Sequence, residues 1–243
     1  MHLRRFHFDQ IDSTNWWAKR HASRWTHEQM LLVTASYQTE GRGRRNRRWH
    51  SPPGLGIHAT FCFFSPFQEE SALSDIALVA AVAVASVLDA LGFSPQLKWP
   101  NDLLLHDKKV AGILCETSWV EGKPLLIVGI GINVNTTLDQ LQTVGQPATS
   151  LLVEGGKPLD MEQVLAVLQE NFIQTWERYR IEGRGSLLLQ YIKYLKHRPG
   201  SLLRFHRGEE VILGEFVEVA GDGSLVLRTA EGNLARFIAG EIE

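Results

Sequence analysis

Only two cysteines, Cys62 and Cys115, occur in the chain, and both fall in apolar, strand-like runs. That scarcity excludes a disulfide scaffold and leads us to expect buried thiols in a reduced, cytoplasmic protein. The nine histidines show no H-E-x-x-H spacing and there is no C-x-x-C, so no structural metal site is expected. A Walker A loop is absent, and so is the G-x-G-x-x-G dinucleotide fingerprint. The longest apolar run, Ile76 to Leu88, stops at Asp75 and Asp89. It is too short to cross a bilayer and is predicted to be a buried helix. Charge of either sign is not in excess: 25 Lys+Arg face 27 Asp+Glu, for a net charge of -2. No general field therefore draws nucleic acid. The N-terminal MHLRRFHFD lacks the apolar centre of a signal peptide. Neither DNA nor a membrane is an expected partner. What remains is ordinary globular composition, 44% hydrophobic and 21% charged, in a chain long enough to bury a sizeable core.

One local excess stands out against this background. From Tyr37 to Gly54 the chain reads YQTEGRGRRNRRWHSPPG. Gly41 and Gly43 alternate with Arg42 and Arg44, Arg45, Arg47 and Arg48 follow, and Trp49 closes the run. Glycine lets a ligand approach the backbone closely, and successive N–H groups of such a turn can cup an anion. Guanidinium groups add permanent charge and bidentate hydrogen bonds, and Trp49 offers a face on which a purine could stack. The loop suits the phosphates of a nucleotide. A plain basic patch for RNA is the competing reading of the arginines, although the glycines fit it poorly.

A short strand is predicted around Arg4–Phe8, followed by a helix start at Asp12-Ser13-Thr14-Asn15. Ser13 and Thr14 are either a cap alone or a place to hydrogen-bond a small polar head. Met30–Tyr37 is predicted as a buried strand feeding the arginine loop, with Gln38 at the junction, able to donate and accept at once. Ile57–Phe64 reads as a strand with one apolar face, and Glu69–Leu91 as a long buried helix. Pro100, Asn101 and Asp102 mark a turn, with the Asp102 carboxylate available to a Mg²⁺-nucleotide. Lys109 opens the following strand, which places its ammonium at the mouth of the sheet. Pro124–Asn135 is predicted as a buried strand in which Gly129 and Gly131 suggest close approach. Asn133 and Asn135 would need partners there, and a ligand could be one. Helices are expected over Asp160–Arg180 and Ser186–Lys196. After a linker at His197–Gly200, short strands broken by glycines are predicted to form a small β-barrel carrying five arginines against eight carboxylates.

Taken together, five blocks resemble the biotin protein ligases: Ser13-Thr14-Asn15; Gln38 ahead of Gly41-Arg42-Gly43-Arg44, Arg47 and Trp49; Lys98-Trp99-Pro100-Asn101-Asp102; Lys109-Val110-Ala111-Gly112; and Gly129-Ile130-Gly131-Ile132-Asn133. They occur in the family's order over roughly half of the chain. The barrel matches only by its general look, with Gly240-Glu241-Ile242 as the best local echo. The resemblance implies an α+β fold: a mixed-sheet catalytic domain over residues 1–196 and a small Src-homology-like barrel over 197–243. It implies a ligase that joins biotin to ATP, as Mg²⁺-ATP, and passes the biotinyl group to a lysine of a biotin carboxyl carrier protein. By the same resemblance Ser13, Thr14, Asn15, Gln38, Gly41, Arg42, Lys109 and Gly112 would hold biotin. Arg42, Arg44, Arg47, Trp49 and Asn133 would hold ATP, with Lys109, Arg44 and Arg47 catalytic. Asn101 and Asp102 would lie near the metal or the incoming lysine. Asn46 stands where a third glycine is common, so asparagine is expected to carry a left-handed turn there. Since the motifs begin almost at the first residue, no DNA-binding segment and no repressor role are expected. An edge strand near Gly129–Asn135 is a candidate for pairing two subunits. A lipoate ligase is the nearest alternative, and a basic nucleic-acid-binding module the more distant one.

Overall fold

A computed structural model describes residues 2–26, 29–50, 52–66 and 72–243. β1 (His2–Ile11) runs parallel to β2 (Gln29–Gln38), so a crossover must join them, and it contains α1 (Thr14–Arg20). β3 (Gly56–Phe64) returns antiparallel to β2, and the long α2 (Ala72–Ala90) follows. Residues 69–71 of the predicted helix lie outside the described residues. Next come β4 (Gln96–Lys98), β5 (Asp102–Leu105), β6 (Lys108–Val120) and β7 (Lys123–Asn133). They complete a mixed seven-stranded sheet of order β1-β2-β3-β7-β6-β5-β4. Two short helices, α3 (Leu138–Gln142) and α4 (Leu151–Gly155), lead into α5 (Met161–Glu182) and α6 (Arg184–Tyr194).

The helices α2, α5 and α6 bury one face of this sheet. Phe61 on β3 stacks on Phe172 of α5 with ring centres 3.8 Å apart, and Phe63 packs on Trp176. The segment Leu73–Ala90 has a mean hydropathy of 1.9, apolar and long enough to cross a membrane. The helix is longer than the apolar run first suggested. Every residue from Val79 to Ala85 is fully buried, however, which makes α2 the central beam of the core. The opposite face is covered by α1, where Ala18, Leu31, Val33, Cys62 and Ile127 form a second, smaller cluster edged by Trp17 and Phe6.

Three expectations change here. β3 does not have one apolar face and one wet one, because α1 closes the second side. His58, Thr60 and Cys62 are as buried as Phe61. The region Gly129–Asn135 is not an edge: β7 lies between β3 and β6, its backbone already paired on both sides. It cannot offer itself to a second subunit, and the sheet edges are β1 and β4. Asn135 lies beyond the strand end, where it donates to the Leu159 carbonyl (2.8 Å) and accepts from the Leu159 amide (2.9 Å). Backbone, not ligand, satisfies it.

Burial gives His58 a consequence for stability. Its Nδ1 donates to the Ala35 carbonyl at 3.2 Å, and desolvation pushes its pKa down to about 4. The unfolded chain binds that proton at the ordinary value of about 6.5. Stability from this group is therefore intact above pH 6.5 and declines as pH falls from about 6.5 towards 4. Urea unfolding measured across that window should show the decline in the wild type and a flatter profile in His58→Gln. An unaltered slope in the variant would assign the effect to another group.

The C-terminal strands β8 (Leu202–Arg207), β9 (Glu210–Val219), β10 (Leu225–Thr229), β11 (Leu234–Phe237) and β12 (Glu241–Ile242) form an antiparallel sheet of order β11-β10-β9-β8-β12. The sheet is barrel-like but not closed, with β11 and β12 at its two ends. Its inner residues Phe205, Phe216, Leu227 and Phe237 continue the core of the larger sheet. Trp99 fastens the two together: its indole N–H donates to the Gly223 carbonyl (3.0 Å) and its ring lies 6.1 Å from Phe205.

Candidate active site

β1 and β2 end side by side, with Ile11 opposite Gln38. Being parallel, they send two loops out of the same end of the sheet: the start of α1 and the arginine loop. Between these loops and the strands β6 and β7 lies a cavity. At its closed end, the Gln38 side-chain carbonyl accepts from both the backbone N–H (2.9 Å) and the hydroxyl (3.1 Å) of Thr14. Thr60 Oγ1 sits behind, 2.7 Å from the Thr14 hydroxyl and 2.6 Å from Asn15 Oδ1. The Asn15 amide donates to Glu116 (2.9 Å) and to the Leu114 carbonyl (3.3 Å). Ser13, Thr14, Asn15 and Gln38 are all buried, which is a small set of neutral donors and acceptors held in register.

The floor depends on missing side chains. Gly112 and Gly131 face each other across β6 and β7, and the Trp49 indole lies over both. A Cβ at 131 would come within 2.5 Å of that ring and one at 112 within 2.9 Å. At Gly129 a Cβ would stand on the Asn15 side-chain oxygen. Trp49 is thus already packed on the strands, and Lys109 Nζ lies 5.6 Å from its ring centre.

The open end is cationic. Arg42, Arg44, Arg47, Arg48, Lys98 and Lys109 line the cavity against two carboxylates, Asp102 and Glu241. Lys109 pairs with Asp102 at 2.7 Å. Arg44 donates to Asn101 Oδ1 (3.1 Å) and to the Gly240 carbonyl (3.3 Å). Burial pulls the Arg44 guanidinium below its ordinary pKa, offset in part by Glu241, and burial likewise lowers the Lys98 ammonium, offset by Asp102. Desolvated cations of this kind gain from an incoming anion. Arg45 and Arg47 both reach Glu241, tying the loop to the C-terminal sheet.

Most of the predicted set therefore converges, including Gly112. Gly41 does not line the cavity but shapes it: a Cβ there would lie 2.8 Å from the Trp49 carbonyl. Asn133, expected on the adenine side, is also outside the lining, its amide donating to the Thr149 carbonyl at 3.0 Å. Asn101 has both ends of its amide engaged, one by Arg44 and the other donating to the Ile113 carbonyl at 2.7 Å. The left-handed position of the loop is Arg45 (φ 55°), not Asn46. Lys98, Gln146, Glu241 and Ile242 were not assigned from sequence yet line the cavity. Lys98 sat in plain view within a quoted motif, whereas Glu241 is distant in sequence. Cys62 and Cys115 are free, and burial pushes both thiols up to about 12, so neither is a nucleophile.

A model of the biotin/lipoate A/B protein ligase family matches residues 7–135. The bifunctional ligase/repressor BirA of Bacillus spizizenii is 33% identical over 217 residues, covering 87% of this chain and 65% of that protein. The biotin–[acetyl-CoA-carboxylase] ligase of Paracoccus denitrificans is 31% identical over 209 residues, covering 82% of this chain and 85% of that protein. Among solved structures, biotin protein ligase from Aquifex aeolicus in complex with biotin and ATP superposes with a TM-score of 0.79 at 28% identity, covering 99% of this chain and 97% of the other. Against the Bacillus BirA proteins the chain spans 65% of the relative's length.

Proposed function

The chain belongs to the biotin/lipoate A/B protein ligase family, and from that membership we propose that it is an ATP-dependent biotin protein ligase. The observation that carries the reading is the cavity's division of labour: buried neutral hydrogen-bonding groups at one end, six cations against two carboxylates at the other. A ureido head both donates and accepts, which Ser13, Thr14, Asn15 and Gln38 can answer. The arrangement favours biotin over lipoate, whose dithiolane ring offers no such hydrogen bonds.

In the first step a biotin carboxylate oxygen attacks the α-phosphorus of ATP. A P–O bond forms to give biotinyl-5′-AMP, and the bond to the leaving pyrophosphate breaks. Two anions must meet, and Arg42, Arg44, Arg47 and Lys109 neutralise them as charge moves. Mg²⁺ arrives with ATP as part of the substrate. Asp102 and Glu241, hard oxygen donors lining the same cavity, would hold it. Trp49 borders the adenine side. In the second step the neutral amine of a carrier lysine attacks the acyl carbonyl. The C–N bond forms, AMP leaves, and the amine loses a proton, with Lys109 steadying the carbonyl or the departing phosphate. The acceptor is a biotin carboxyl carrier protein, met in the cytoplasm. Residues 1–196 supply the chemistry, and 197–243 close the cavity with Glu241 and Ile242.

Pyrophosphate release from Mg-ATP, measured with biotin, with lipoate and with neither, tests this directly. Release with biotin alone is expected. Release with lipoate instead would keep the adenylation and replace the substrate, and silence with both acids in folded protein would overturn the ligase reading.

A further inference from the structure

Trp16 and Trp17 are neighbours on α1 with opposite fates. Trp17 packs inward against Phe6 and Phe8, with ring centres 5.0 and 5.1 Å away. Trp16 faces out and is 39% exposed. A single exposed aromatic is unremarkable by itself. This one, however, has its ring covered by cations: the Arg42 guanidinium carbon lies 4.3 Å from the ring centre and that of Arg20 lies 5.8 Å away. Arg20 is fixed from its other side by Asp12, with contacts of 2.6 and 3.1 Å.

Arg42 differs from every other arginine of the loop. The side chains of Arg44, Arg45, Arg47 and Arg48 all donate to protein oxygens. Among the described residues, the Arg42 side chain has Trp16 and no hydrogen-bond acceptor or ion-pair partner. A guanidinium over an aromatic face is held by the ring quadrupole while its N–H groups point outward in their own plane. Its capacity for a bidentate contact with a carboxylate or phosphate remains unspent. Since Arg42 lines the cavity and Trp16 does not, the ring is a support rather than a contact.

We infer that Trp16 is a positioning residue: it holds Arg42 at the cavity rim with its donors free for the anionic end of the substrates. The inference rests on the ligase reading for the identity of that anion. Trp16 also follows directly on Ser13-Thr14-Asn15, so the segment facing the neutral head of the acid also braces the cation facing its carboxylate end.

A double-mutant cycle on pyrophosphate release tests it, with Trp16→Ala, Trp16→Phe, Arg42→Ala and the Trp16→Ala/Arg42→Ala pair. Trp16→Ala should raise KM for biotin or for ATP roughly two- to fivefold, the worth of an exposed cation–π contact, with little change in kcat. Trp16→Phe should recover most of the loss, and the double variant should be no worse than Arg42→Ala. An unchanged KM in Trp16→Ala, or a Trp16 effect that persists without Arg42, would overturn the inference while leaving the ligase reading intact. If the wild type itself releases no pyrophosphate, the ligase reading fails separately. The pair is then read by titrating inorganic pyrophosphate against tryptophan emission. A response present in the wild type and lost in both Trp16→Phe and Arg42→Ala supports the support role, and identical responses in all three overturn it.

Discussion

Lys109→Ala is expected to lose about 10²–10³ in the rate of biotin-dependent pyrophosphate release, or about 2–4 kcal/mol of transition-state stabilisation. Lys109 is anchored at the start of β6 by main-chain bonds on both sides: its N–H donates to the Pro147 carbonyl (3.0 Å) and its carbonyl accepts from Thr149 (2.9 Å). The ammonium is thus carried on rigid backbone, aimed into the cavity and paired with Asp102. Removing it takes away a cation where two anions must meet. Single-turnover measurements should locate the loss in the chemical step, with the melting temperature nearly unchanged. A fully active variant would remove Lys109 from the charge-neutralising set.

Gly129→Ala should damage stability and substrate binding together. The added methyl would occupy the position of the Asn15 side-chain oxygen, and Asn15 has little room to retreat. It is held by Leu114, Glu116 and Thr60 and is only 5% exposed. Relief therefore requires moving α1 or the centre of the sheet. Overpacking of this kind costs about 1–3 kcal/mol, and for a chain of this size each kcal/mol lowers Tm by about 2–4 °C. Displacing Asn15 also disturbs its neighbour Thr14, which Gln38 and Thr60 hold, so KM for biotin should rise by roughly threefold to tenfold, one or so hydrogen bonds' worth. Differential scanning calorimetry and the release assay read the two effects independently. A variant that melts like the wild type and keeps its KM would show that the sheet yields more easily than its hydrogen bonds imply.

Most of the cavity could be read from the chain because its chemistry is concentrated in short runs. The arginine loop, the Lys98–Asp102 turn and the Lys109–Gly112 strand start each carry several of the residues that converge. What resisted reading was whatever depends on the second side of an element. Thr60 looked like the wet face of β3 until α1 covered that face. Asn133 and Asn135 looked like ligand contacts because a polar residue beside a strand has no visible partner in sequence. Their partners are the carbonyls of Thr149 and Leu159, brought in by the helical segment that follows β7. Glu241 meets Arg47 across 194 positions, a distance no local pattern spans. The turn in the arginine loop was placed one residue late. Left-handed tolerance argued for Asn46, whereas the return of the chain, with the Gly43 N–H donating to the Arg47 carbonyl (2.7 Å), puts that conformation at Arg45.

The side-by-side exits of β1 and β2 tie the working cavity to the order in which the molecule closes and opens. β1 is an edge strand with one neighbour, and the rung between Ile11 and Gln38 lies at its end. Strand ends at an edge open at lower free energy than central strands, so amide exchange there should outpace that of β3 and β7. When that rung opens, Thr14 separates from Gln38 and the pocket's neutral end loses its register, although the α2 core remains packed. A bound acid bridging the two exits would close the rung by mass action, slowing exchange at Thr39 and Glu40, whose amides donate to Ile11 and Asp12. The molecule would thus record occupancy as protection at the end of its β1 edge.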